Sequence, residues 1–150
     1  MEKEKLLISS CFLGNLVKYN GDHNRFSNAI LEKLEAKYHF IAVCPEVDGG
    51  LPTPRVPCEI VSSSPLQVLD KEGVDKTQEF VKGAQIAYKI VKQNNIKKAL
   101  LKANSPSCSS YQINDGTFAK KRIISDGVAV RYLRELKIEI FDETQIDQLL

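Results

Sequence analysis

The sequence predicts an α/β domain of three layers, Rossmann-like, with a mainly parallel sheet and functional loops at the strand carboxyl ends. Short apolar runs bounded by turn residues alternate with longer stretches of helical period, and the two segments that break this alternation each follow a strand. A chain of 150 residues with 43% hydrophobic and 27% charged residues can bury one core, so a single domain over residues 1–150 is expected.

Lys3 to Ser10 runs from charge into Leu6, Leu7 and Ile8 and reads as the first strand. Ser27 to Lys37 places Ile30, Leu31 and Leu34 on one helical face. Tyr38 to Val43 (YHFIAV) is the second strand. Lys76 to Gln93 carries Phe80, Ala84, Ala87, Tyr88 and Val91 at helical spacing, and Asp75 with Gln78 occupies capping-box positions before it. Lys98 to Leu101 (KALL) is the third strand and Lys137 to Asp142 (KIEIFD) the fourth. A helix over Asp126 to Leu136, with Gly127 in its first turn, turns Val130, Leu133 and Leu136 to the core. Each parallel strand needs a crossover to return, so these helices should cover both faces of the sheet.

Two stretches stand outside the repeat. Pro45 to Pro65 holds five of the six prolines and Gly49-Gly50, while Asn104 to Arg122 is rich in Ser, Asn, Asp and Gly. Both read as ordered functional loops.

The balance of 21 Lys and Arg against 19 Asp and Glu, net +2, argues against a nucleic-acid or membrane surface. The chain has no run of about 18 apolar residues, and its charged start leads into only a short apolar stretch. A cytoplasmic protein acting on a small molecule as a monomer or homodimer is expected.

Four cysteines are too few for a disulfide scaffold, and a reducing compartment keeps them as thiols. Cys11 closes the first strand, Cys44 closes the second, and Cys108 follows the third by a short loop. In a parallel sheet these are carboxyl ends on one edge, where open α/β folds hold ligands, so three thiols can converge. Cys58, in PRVPCEIV, follows a proline-rich loop and is left out of the site. The absence of a CxxC pair disfavours a structural zinc or a thioredoxin-type centre. Soft thiolates select iron-sulfur clusters, Cu(I) or zinc, and a cubane held by three cysteines leaves one iron open as a Lewis acid.

Five segments carry a family resemblance: Cys11-Phe-Leu-Gly14 with Lys18-Tyr-Asn-Gly21; Cys44-Pro-Glu-Val-Asp-Gly-Gly-Leu-Pro-Thr-Pro-Arg55; Gly83-Ala84; Leu101-Lys102 through Ser105-Pro-Ser-Cys108; and Asp115-Gly-Thr-Phe118. Over nearly its whole length the chain resembles the short bacterial family to which the thiouracil desulfidases belong. The resemblance implies a 4Fe-4S cluster on Cys11, Cys44 and Cys108, and hydrolytic removal of sulfur from a thiolated base or nucleoside with no external electron donor. It departs from the family's usual pattern at Lys18, at Ser109 after the third cysteine, and around Ser125 to Val130, so substrate choice is the least transferable property.

Glu46, two residues past Cys44, is placed to activate water or shuttle a proton; its other reading is a helix cap or a partner for Arg55. Ser105 and Ser107 flank Pro106, and their hydroxyls can serve catalysis or hold the ring, or simply shape a turn. Catalytic roles are assigned to Glu46 and Ser105, and substrate contacts to Ser9, Lys102 and Ser107. Gly49-Gly50 and Pro52 to Pro57 read as scaffold, and His23 and His39 as structural or solvated. Two further readings stay open: an iron-sulfur or zinc protein acting as a sensor or sulfur carrier, and a metal-free enzyme in which Cys108, near a helix start, is the nucleophile.

Overall fold

Strand β1 (Glu4–Ser9) sets the layers, because its central side chains divide between the two faces of the sheet. Leu7 packs with Val43, Val91 and Val130 on one side, whereas Leu6 and Ile8 pack with Phe12, Leu34 and Phe141 on the other. All three are fully buried, and each such side chain contributes about 1.5–3 kcal/mol. The computed structural model describes residues 2–150.

A short 3-10 turn, Ser10–Leu13, follows β1 and is closed by Gly14 at φ +96°. Helix α1 (Asn28–Lys37) starts at Ser27, whose hydroxyl accepts the Ile30 N–H, and returns the chain to β2 (Tyr38–Val43). The four-residue helix α2 (Pro45–Asp48) follows at once. Strands β3 (Cys58–Ser63) and β4 (Leu66–Asp70) form an antiparallel hairpin, and α3 (Thr77–Asn94) crosses back to β5 (Lys98–Leu100). A second hairpin, β6 (Gln112–Asn114) with β7 (Arg122–Ile124), precedes α4 (Val128–Leu133), a 3-10 turn over Arg134–Leu136, and β8 (Glu139–Phe141).

The central sheet has the order β2-β1-β5-β8, and its three pairings are all parallel. α3 and α4 cover one face; α1 and the 3-10 turns at Ser10–Leu13 and Glu143–Gln148 cover the other. The predicted three-layer architecture is therefore the observed one. The chain leaves β1 toward β2 on one side and returns to β5 on the other, so the carboxyl ends of β1 and β5 flank the point where strand order reverses. No helix among the described residues is long and apolar enough to cross a membrane.

Several boundaries differ from the sequence expectation. The two irregular segments are not loops throughout, since each contains the start of a hairpin. Their strands are short, proline-flanked in β3 and fully exposed in β7, which hides the alternation that would mark them. The predicted third helix begins only at Val128, with Gly127 as its N-cap, and tightens to a 3-10 turn after Leu133. The capping box at Asp75 and Gln78 does not form: the N-cap is Lys76, and Asp75 instead accepts the Thr77 N–H at 2.8 Å.

Candidate functional site

One cavity of about 240 Å³ opens beyond the carboxyl ends of β1, β2 and β5. Cys11, Cys44 and Cys108 all line it, and so does Cys58. Cys11 sits in the turn after β1, Cys44 is the N-cap of α2 one residue past β2, and Cys108 lies in the loop after β5. The convergence read from strand ends is thus realised. Cys58, left out of the site on sequence, also lines the cavity: it is the first residue of β3, and the hairpin missed in the sequence carries it to the wall.

Glycines set the wall by letting backbones touch. A Cβ on Gly83 of α3 would lie 1.8 Å from the Pro45 carbonyl oxygen, and one on Gly49 would lie 2.0 Å from the Glu79 oxygen. The Cys44-Pro45-Glu46 segment is thereby seated on α3 with no side chain between. Gly127 plays the same part for the third cysteine, since a Cβ there would meet the Ser107 carbonyl carbon at 2.5 Å. The Val128 and Ala129 N–H groups donate to the Pro106 and Ser107 carbonyls at 2.8 and 3.0 Å, which docks the SPSC loop on the first turn of α4.

A connected set of polar groups runs along this wall. The Ser105 hydroxyl accepts the Ser107 and Cys108 N–H groups at 3.1 and 3.0 Å, shaping the turn. It also faces the Ser107 hydroxyl at 3.0 Å. Ser107, 1% exposed, donates to Glu46 Oε2 at 3.1 Å, and Arg55 Nε donates to Glu46 Oε1 at 3.3 Å. The side chains of Arg55 and Glu46 are 6% and 14% exposed, so this is a mostly buried ion pair whose members need each other. Glu46 lines the cavity and, as its second reading expected, pairs with Arg55. Arg55 is more than scaffold, because Nη2 donates to the Val17 carbonyl and its own N–H to the Tyr19 carbonyl, tying the loop over the cavity to Glu46.

The assigned substrate contacts fare differently. Ser9 and Lys102 line the cavity, but the Ser9 hydroxyl accepts the Lys102 N–H at 2.9 Å, and the Lys102 ammonium is 2.6 Å from Glu143 Oε2. The Lys102 charge at the cavity is thus shared with Glu143. His23 is exposed and accepts the Arg25 N–H through Nδ1, and His39 is exposed on β2, so neither reaches the site. Asn24, missed by the sequence reading, donates to Cys11 Sγ at 3.4 Å. It lies within the same chain segment as the Lys18 to Gly21 motif, which was the available signal.

Burial dominates the electrostatics of the thiols. It pushes Cys11 and Cys44 up, opposed at Cys11 by the Asn24 amide and at Cys44 by the Val47 N–H. Cys108 is pushed up to about 12 by burial, against the Ser107 hydroxyl. Cys58 is raised to about 12 by burial and then by the charges of Glu46 and Asp70. Burial disfavours the Cys108 thiolate, and the first N–H groups of α4 are donated to the Pro106 and Ser107 carbonyls rather than to its sulfur.

The donor set fits a polynuclear thiophilic group. Three soft sulfurs share one cavity, the Asn24 amide donates to one of them, and buried thiolates need a cation beside them. Among the described residues no three His, Cys, Asp or Glu side chains are gathered around a single-ion position.

The family model for 2-thiouracil desulfurase matches residues 6–145. An uncharacterised protein of Bacillus subtilis, YbbK, is 33% identical over 97% of this chain and 99% of its own length. The solved structure of a 4Fe-4S-dependent thiouracil desulfidase, TudS, superposes with a TM-score of 0.89 at 38% identity, covering 98% of this chain and 95% of that one. Through the family match and these end-to-end similarities, the chain belongs to the 2-thiouracil desulfurase family.

Proposed function

We propose that this protein is a desulfidase that removes sulfur hydrolytically from thiolated pyrimidines such as 4-thiouracil, with a 4Fe-4S cluster held by Cys11, Cys44 and Cys108 and with water activated at Glu46. The observation that carries the reading is the continuous path Ser105, Ser107, Glu46 and Arg55 along the wall of the cavity that three thiols share.

When bound, a cubane cluster on three cysteines supplies one iron without a protein ligand, a Lewis acid suited to a soft thiocarbonyl sulfur. Arg55 and Ser107 hold the two oxygens of Glu46 from opposite partners, which fixes the plane of the carboxylate. Each oxygen retains a lone pair, so Glu46 takes the proton of a water attacking the ring carbon. Ser105, whose oxygen already accepts two N–H groups, donates to Ser107, and Ser107 donates to Glu46, so the two hydroxyls orient the carboxylate, which then gives its proton to the departing sulfide. Pro106, Val17 and Tyr19 close the cavity around the ring. Water and a thione give a carbonyl and hydrogen sulfide, so no electron donor is needed. A sensor or sulfur carrier without turnover has no use for a carboxylate so oriented.

Glu46→Gln tests the reading. The iron-loaded variant should keep the iron content and visible absorption of the parent while losing turnover of 4-thiouracil at least 100-fold, the usual scale for a positioned base. A Glu46→Gln protein with parental turnover would overturn it.

A further inference from the structure

The Asp115-Gly116-Thr117-Phe118 segment takes no part in the cysteine site or the hydrogen bonds to Glu46, yet it is firmly tied to β3. Glu59, buried on β3, accepts the Gly116 and Phe118 N–H groups through Oε1 at 3.0 and 3.2 Å. Gly116 adopts φ +92°, and a Cβ there would lie 2.7 Å from the Ile60 oxygen. Asp115 Oδ1 accepts the Thr117 N–H at 3.0 Å and closes the turn. On the other side, Ile113 is buried with Ile60 and Val68.

These constraints share one consequence. Neighbouring side chains of a strand point to opposite faces, so burying Ile113 turns Gln112 and Asn114 the other way. Asn114 lines the cavity, and Gln112 Nε2 donates to Oδ1 of Asn104, which lines it too. Three asparagines thus share the wall. Asn24 is committed to Cys11 and Asn104 to Gln112, whereas the Asn114 carboxamide makes no side-chain hydrogen bond among the described residues.

We propose that Asn114 is a specificity-determining residue that reads the lactam edge of the thiolated pyrimidine, an unsubstituted ring N–H beside a carbonyl; this rests on the desulfidase reading above. A carboxamide is the complement of that edge. Its Oδ1 accepts the ring N–H while its Nδ2 donates to the carbonyl, the two-bond arrangement by which asparagine also reads a base edge in nucleic acids. In 4-thiouracil the sulfur-bearing carbon is bonded to that same ring nitrogen. The pair therefore orients the thiocarbonyl without covering it. A thiolated cytosine offers an acceptor at N3, and an N3-methyl group blocks that nitrogen, so neither ring can pair with the carboxamide in the orientation that presents the sulfur as 4-thiouracil does.

The test compares 4-thiouracil with N3-methyl-4-thiouracil on the iron-loaded wild type, Asn114→Ala and the near-isosteric Asn114→Asp, with the inhibition constant of uracil as a second readout. A bidentate pair is worth roughly tenfold to 100-fold in discrimination. The wild type should favour 4-thiouracil by that factor. Asn114→Ala should raise KM for 4-thiouracil and weaken uracil inhibition by a similar factor, change kcat much less, and treat the two substrates alike. Asn114→Asp, which lacks the donor, should behave as Asn114→Ala does even if the alanine variant folds poorly. A wild type that turns over both substrates equally, or variants with parental KM and uracil inhibition, would overturn the proposal alone. A wild type that releases sulfide from neither substrate would overturn the desulfidase reading and this one with it.

Discussion

Gly83→Ala separates the seating of the catalytic segment from the stability of the fold. The new Cβ would lie 1.8 Å from the Pro45 oxygen, and ordinary contact begins at 3.4 Å, so the two backbones must part by about 1.6 Å. α3 is anchored in the core by Phe80, Ala84, Ala87 and Val91, whereas α2 has four residues, so α2 is the element that yields. Overpacking costs about 1–3 kcal/mol, and the gain in helix propensity of alanine over glycine returns about 1 kcal/mol. Net destabilisation is therefore about 0–2 kcal/mol. The displaced residues are the neighbours of Pro45, namely Cys44 and Glu46, and an error of 1 Å at a reacting group costs roughly 100-fold in rate. Denaturant unfolding and anaerobic loss of the 4-thiouracil absorbance should show a modest stability change beside a rate loss near that factor. Val91→Ala, which empties space in the sheet-facing core of the same helix, is the comparison: it should lose roughly 2 kcal/mol of stability with little loss of rate. A Gly83→Ala protein with parental turnover, or one whose rate loss is matched by Val91→Ala, would refute the reasoning.

Other expected outcomes follow from the same wall. Ser107→Ala removes a hydrogen bond to a carboxylate, worth about 1.5–3 kcal/mol, and should slow turnover roughly 10- to 100-fold with iron content unchanged, as metal analysis beside kinetics will show. Arg55→Lys should not restore what Arg55→Ala loses, because one guanidinium serves Glu46, Pro52 and Val17 at once; equal turnover in Arg55→Lys and the parent would contradict that. Burial and the Glu46 charge raise Cys58 to about 12, so at pH 8 its reactive thiolate is scarce. Alkylation of Cys58 in the iron-free folded protein, followed by mass spectrometry, should be slow near pH 8, rise with pH toward about 12, and become fast at pH 8 only on unfolding.

Much of this site is legible in the sequence. Buried strands announce themselves through runs such as LLI and FIAV, and a parallel sheet puts their ends on one edge, so the meeting of Cys11, Cys44 and Cys108 followed from topology alone. What escaped were features set by non-local packing. Cys58 reaches the cavity only because a proline-flanked hairpin carries it there, and Lys102, which lines the cavity, also pairs with Glu143, a partner 41 residues away. The start of α4 slipped to Val128 because Gly127 must approach Ser107, a contact no helical period encodes. The capping box failed for a local reason, since Asp75 turned to the nearer Thr77 N–H.

The most direct test of the central claim is iron and sulfide analysis with an absorption spectrum on anaerobically prepared wild type and its Cys11→Ala, Cys44→Ala, Cys108→Ala and Cys58→Ala variants. The account predicts about four irons per chain and broad visible absorption in the wild type and Cys58→Ala, and loss of both when any of the other three cysteines is removed. A colourless wild type that refuses anaerobic reconstitution, or a Cys108→Ala protein that keeps its full iron content, would contradict it.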